Sequence, residues 1–168
     1  STQGNITLES ATGSVVIDSS KTTVSATTGN IQVSAFENAT LREMAAGNSI
    51  DVTASAVQFS GLLESVLGNV TLKAIGDVQS VGASAVILAV SGQITVLSET
   101  GKVLTGRSLT AADNIDISSQ GDLTIAGTIL SNLGSVSLKS IAANIDLNGP
   151  VIANDVINGD ITLSAYSE

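Results

Sequence analysis

Residues 4–10 read GNITLES, and the phrase returns as GNIQVSA at 29–35, GNVTLKA at 68–74, GQITVLS at 92–98 and GDITLSA at 159–165. Aligned on its first branched apolar residue, the repeat forms the column Ile6, Ile31, Ile50, Val70, Ile94, Ile115, Val136 and Ile161. The mean step is about 22 residues, within the range in which a fixed period signals a solenoid or a related array. Two residues further on stand Leu8, Val33, Val52, Leu72, Val96, Ile117, Leu138 and Leu163; four residues on, every position is Ala or Ser. Alternation of period two is the signature of a strand with one face turned inward. A lone short strand cannot bury that face, but parallel strands stacked in register at about 4.8 Å can.

The flanking columns fit a coil. Small polar residues precede the first apolar column, among them Asn5, Asn30, Asn69 and Asn114, and these four are expected to ladder their side chains along the stack. Glycine precedes most of them and is expected to let the chain turn. The Ala or Ser column marks a corner too tight for bulk. Weaker glycine phrases lie between the strong ones: GSVVI at 13, GDVQS at 76, GKVLT at 101, GDLTI at 121 and, without glycine, NIDLN at 144. They make a second wall. A third is placed around Val24, Val86, Leu109, Ile129 and Val151. The expected fold is therefore all-β: a single-stranded parallel β-helix, or β-solenoid, of about seven coils with three short strands each. Its expected hand is right, as in nearly all parallel crossovers. Residues 1–168 are expected to form a single domain with an irregular excursion at 36–47. Within that stretch Thr40, Glu43 and Gly47 read either as a capping box, helical turn and glycine stop, or as a bulge carrying Leu41 and Met44 into the core.

Composition narrows the function. Aliphatics fill the interior, since 43% of residues are hydrophobic and only 2% aromatic, which also removes the ring platforms that bind sugars. A net charge of −9 opposes the phosphate backbone of nucleic acid. With neither cysteine nor histidine there is no disulfide framework, no usual transition-metal site and no usual general base. No apolar run approaches the roughly 20 residues that span a bilayer as a helix, so no membrane insertion is expected. On the outward face of the first wall, Asp51 and Asp116 stand three coils apart, roughly 14 Å, too far to act as a glycosidase pair. Asp113 with Asp116, and Asp155 with Asp160, could offer oxygens to calcium, but the nonapeptide of calcium-binding β-rolls is absent. No catalytic residue, cofactor or metal is expected.

The recurring G-N-I-x-L-x-A/S phrase, running nearly the whole chain, resembles the repeat region of filamentous haemagglutinin-like bacterial surface exoproteins. The resemblance implies an extracellular, secreted β-helix used as a stalk, adhesive fibre or matrix component. The NPNG-like secretion motif of that family is not present, and the chain starts at Ser1 without methionine, as a processed or excised piece would. The repeat is legible from Gly4 to Ala165 with no capping element, so the coil ends are expected to meet other copies head to tail. The leading expectation is a structural protein that assembles into a filament or surface fibre. The alternative is an adhesin module whose lateral face contacts a glycan or host protein, and the third is a polysaccharide-active enzyme.

Overall fold

A computed structural model describes residues 3–17, 23–82, 84–155 and 157–166. The chain winds three strands per coil. The first coil holds β1 (Ile6–Ser10), β2 (Val15–Val16) and β3 (Val24–Ala26), and the second β4 (Ile31–Ala35), β5 (Asn38–Leu41) and β6 (Met44–Ala46). The third holds β7 (Ile50–Ala54), β8 (Ala56–Phe59) and β9 (Leu62–Ser65), and the fourth β10 (Val70–Ala74), β11 (Val78–Ser80) and β12 (Val86–Ala89). The fifth holds β13 (Ile94–Ser98), β14 (Val103–Thr105) and β15 (Leu109–Ala111), and the sixth β16 (Ile115–Ser119), β17 (Leu123–Ile125) and β18 (Ile129–Ser131). The seventh holds β19 (Val136–Ser140), β20 (Ile145–Leu147) and β21 (Val151–Ala153), and β22 (Ile161–Ser164) starts an eighth turn.

Every third strand pairs in parallel, giving one sheet of eight strands and two of seven. The molecule is a β-solenoid of about seven turns. The first wall keeps the register expected from its columns along its whole length: Ile6 opposes Ile31, Ile31 opposes Ile50, and so on to Val136 opposite Ile161. Alternation becomes facing. In β16, for example, Ile115 and Ile117 are buried and Asp116 is exposed. The interior is aliphatic rungs with one ring: Phe59 is buried beside Leu41 on one side and Ser80 on the other, so small Ser80 offsets the bulk of the ring.

Three expectations need correction. Residues 36–47 form no helical turn: they contain β5 and β6, ordinary second and third walls of the second coil. Leu41 and Met44 do enter the core, at 1% exposure each, because one ends a strand and the other begins the next. In the third wall the inward column passes through Ile87 rather than Val86. Leu63, Ile87 and Leu109 are in register, and Val86 sits opposite outward Leu62. Strands β9 and β12 both begin one residue before the inward column, whereas β6 and β15 begin on it.

The third correction concerns glycine. Gly29 and Gly92 are not at positive φ, which among the described glycines is confined to Gly4 and Gly82. They are required by the coil beneath: a Cβ on Gly29 would lie 2.2 Å from the Gly4 carbonyl oxygen, and one on Gly92 2.2 Å from that of Gly68. At Gly29 and Gly92 the backbone of the coil beneath passes too close for a side chain, whereas Asn48 and Asp113 occupy the same column in other coils.

Candidate functional site

The polar column before the first wall works as a relay of side-chain oxygens onto backbone amides. Asn5 Oδ1 accepts the Asn30 amide at 2.9 Å, Asn30 Oδ1 that of Ser49 at 3.0 Å, and Ser49 Oγ that of Asn69 at 3.2 Å. Asn69 Oδ1 accepts from the Gln93 amide at 3.0 Å, Asn114 Oδ1 from Ser135 at 2.8 Å, and Ser135 Oγ from Asp160 at 3.2 Å. Side chain donates to side chain once in this column, Asn30 Nδ2 to Asn5 Oδ1 at 3.3 Å. The four asparagines thus satisfy amides at the turn where the strand ladder has not yet begun, which is the accounting every backbone donor demands. They serve the stack.

A second relay precedes the second wall. Ser14 Oγ accepts the Asn38 amide at 3.3 Å, Asp77 Oδ1 that of Lys102 at 3.0 Å, and Asp122 Oδ1 that of Asn144 at 3.2 Å. Its signal, a polar residue after glycine in GSV, GDV and GDL, was present but diluted, because Ala56 and Lys102 occupy the same column. A further device, also not singled out by the sequence reading, closes four corners. In SATG at 10–13, SVLG at 65–68, SETG at 98–101 and SNLG at 131–134, the serine hydroxyl accepts the glycine amide three residues on, at 3.0–3.2 Å. Three of these serines also donate to a neighbouring coil: Ser65 to the Asn48 carbonyl, Ser98 to Gly76 at 2.7 Å and Ser131 to Asp113 at 2.7 Å.

Outward chemistry is sparse. One outward column of the first wall presents Thr7, Gln32, Asp51, Thr71, Thr95, Asp116, Ser137 and Thr162, and β10 and β13 lie between the strands of Asp51 and Asp116. Asp155 closes its own turn, its Oδ1 accepting the Ile157 amide at 2.9 Å and its carbonyl the Gly159 amide at 3.2 Å. Among the described residues no three carboxylates gather as a metal would need. The second wall carries a shallow depression lined by Asn38, Thr40, Ala56, Gln58, Asp77 and Gln79, formed because Ala56 is short between Asn38 and Asp77.

The axial ends differ from everything between them. Interior rungs are almost fully buried, yet Ile6, Leu8, Val15, Ile17 and Val24 in the first coil are only half-buried. At the other end Ile145, Leu147 and Val151 are half-buried, and Ile161 and Leu163 are 47% and 53% exposed. β1, β2 and β3 at one end, and β20, β21 and β22 at the other, each have one paired edge and one open edge. Among the described residues, both ends present a slice of core and a row of unpaired backbone groups.

Comparison of the chain with protein-family models, with curated proteins and with solved structures returns no match.

Proposed function

We propose that this chain is a structural β-solenoid, a subunit or segment of an extracellular fibre that is extended along its own axis. One observation carries the reading: the open strand edges and half-buried rungs at both ends of the stack. An open parallel edge beside exposed aliphatics is a template for more of the same structure, and a head-to-tail contact of this kind propagates rather than closes. The columns that are most constrained are spent on stacking, which is what a shaft requires. Likeness of the repeated phrase to filamentous haemagglutinin-like exoproteins supports placement at a bacterial cell surface, after secretion. In this reading the partner is another length of the same fold, with no cofactor and no reaction.

The test is assembly of the purified chain, followed by size-exclusion chromatography over a concentration series and by negative-stain microscopy. Rods that lengthen with concentration are expected. Leu163→Asp, which puts a charge on the exposed end rung, is expected to stop lengthening without loss of the β signal in circular dichroism. A wild-type chain that stays monomeric at high concentration overturns the self-assembling form of the reading.

The depression on the second wall favours a second reading, an adhesin module. Its amide and hydroxyl groups, Asn38, Thr40, Gln58 and Gln79, have the chemistry to hydrogen-bond a glycan, though no ring is present to stack on it. Glycan-array binding lost in Gln58→Ala, with assembly unchanged, would establish it.

A further inference from the structure

The three lateral walls differ in chemistry. The first carries Glu9, Asp51, Lys73, Asp116 and Lys139 on its outer face, and the second carries Thr40, Gln58, Gln79, Thr124 and Asp146. The third is apolar. Its central outward column runs Ser25, Ala45, Glu64, Leu88, Thr110, Leu130 and Ile152, in register from coil to coil. Leu62 and Val86 lie beside that column. The corner leading from this wall to the first adds Val66 (43% exposed), Leu67 (68%), Val90 (47%) and Leu133 (69%). Glu64 is the single charge on the outer face of these strands among the described residues. Leu88 and Leu130 are half-buried and Ile152 is 37% exposed, so the exposed apolar area lies mainly along the corner and continues onto the strands; apolar surface of this kind marks an interface.

We propose that the third wall is a lateral pairing face for a second copy of this chain, and that the two solenoids lie side by side with their axes antiparallel. Charge selects the face, and the self-complementary column with its area selects a second copy as the occupant. Two molecules of net charge −9 repel, and the first wall would set Asp51 and Asp116 of each copy against acids of the other; the third wall brings together the fewest like charges. The area suffices. Six strand spacings of about 4.8 Å by a strand and corner width of about 18 Å give about 520 Å² on each copy. The total of about 1,040 Å² matches the roughly 1,000 Å² expected of a specific contact.

The column itself selects the orientation. With a two-fold axis through the fourth coil, Leu88 meets Leu88 of the second copy, Ala45 meets Leu130, Ser25 meets Ile152, and Glu64 meets Thr110. Each bulky residue away from the axis then faces a small one, and the lone carboxylate faces a hydroxyl. With axes parallel, Glu64 would meet Glu64, Leu130 would meet Leu130 and Ile152 would meet Ile152, combining repulsion with crowding. A two-fold contact is isologous, so every one of these pairs occurs twice apart from the one on the axis. This pairing is independent of axial extension, since it uses none of the end rungs.

The experiment measures sedimentation equilibrium of the chain in the Leu163→Asp background, which isolates lateral from axial association. A monomer–dimer equilibrium is expected, and Leu88→Lys, introducing two charges on the axis, is expected to weaken it by about a hundredfold or more. Orientation is read by disulfide trapping, which is clean because the sequence has no cysteine. A mixture of Ala45→Cys and Leu130→Cys chains is expected to cross-link as a heterodimer, while Thr110→Cys alone is not. Cross-linking of Thr110→Cys with itself overturns the antiparallel arrangement. A monomer at all concentrations, a dimer indifferent to Leu88→Lys, or a monomer that instead binds lipid vesicles overturns the pairing. If Leu88→Lys fails to fold by circular dichroism, the trapping experiment alone decides. Loss of rods in wild type with retained dimers would count against axial extension and leave this pairing intact.

Discussion

Ile115→Ala and Ile161→Ala make the same chemical change in the same column of the same sheet, and the solenoid requires them to differ. Ile115 is fully buried, between Ile94 and Val136 in register, with its amide donated to Ser135 at 3.0 Å. Removing three carbons there forfeits about 2.4 kcal/mol of transfer free energy at roughly 0.8 kcal/mol per carbon. The rungs on both sides are held by the strand ladder and cannot close in, so the cavity adds on the order of 1–2 kcal/mol. The expected total is about 4 kcal/mol. Ile161 is 47% exposed and has a rung on one side only, so roughly half of the transfer cost applies and no closed cavity forms, about 1 kcal/mol. Urea denaturation followed by circular dichroism, at a concentration low enough to prevent association, gives both values from the shift in midpoint provided the slope is unchanged. A difference between the two variants smaller than about 1 kcal/mol would refute the stacking argument, since facing and neighbour count are all that separates the sites. Raising the protein concentration should increase the Ile161→Ala penalty and leave that of Ile115→Ala alone if the end rung is covered by axial contact.

Other outcomes follow from single atoms. Thr105 Oγ1 is buried without a hydrogen-bond partner, so Thr105→Val is expected to stabilise the chain by about 1–2 kcal/mol in the same denaturation assay. Gly92→Ala would force a Cβ to within 2.2 Å of the Gly68 carbonyl and should destabilise by more than about 2 kcal/mol, whereas Gly13→Ala, whose Cβ would meet only Ser10 Oγ at 3.5 Å, should be close to neutral. Asn69→Ala removes the acceptor for the Gln93 amide and should cost about 1 kcal/mol, most of it recovered in Asn69→Ser, because Ser49 already performs that task one coil earlier.

The first wall was legible residue by residue because its two inward aliphatics and small corner recur in every coil, with a glycine and an amide acceptor before them in most. The other walls have shorter strands with fewer constraints, so the second-wall column could not be followed through Ala39 and Val57, which lack the glycine phrase. The helical alternative for 36–47 fails for a geometric reason. Leu41 and Met44 are three apart, the spacing of a helical face, but the same spacing arises when a two-residue corner separates the last inward residue of one wall from the first of the next. Periodicity within a dozen residues cannot distinguish these; the 22-residue period can, because it places Met44 over Val24 and under Leu63. The glycines show a different limit. Their spacing was visible, but the reason for it, contact with a coil some 20 residues away, exists only in three dimensions.

In a stack of this kind every inward and corner position answers to two neighbours, so nearly all of the repeat's regularity is spent on holding successive coils together. What remains free is the outward residue of each strand, and those residues accumulate into three long faces whose characters diverge: charged, amide-bearing and apolar. Specific contacts of such a molecule are therefore properties of a column rather than of a cluster. Glu64→Leu tests this directly, since it removes the one charge from the apolar column without touching an inward rung. It is expected to tighten lateral association severalfold while leaving the urea midpoint of the monomer nearly unchanged. An unchanged association constant would mean that the third wall is apolar for a reason other than contact with its own kind.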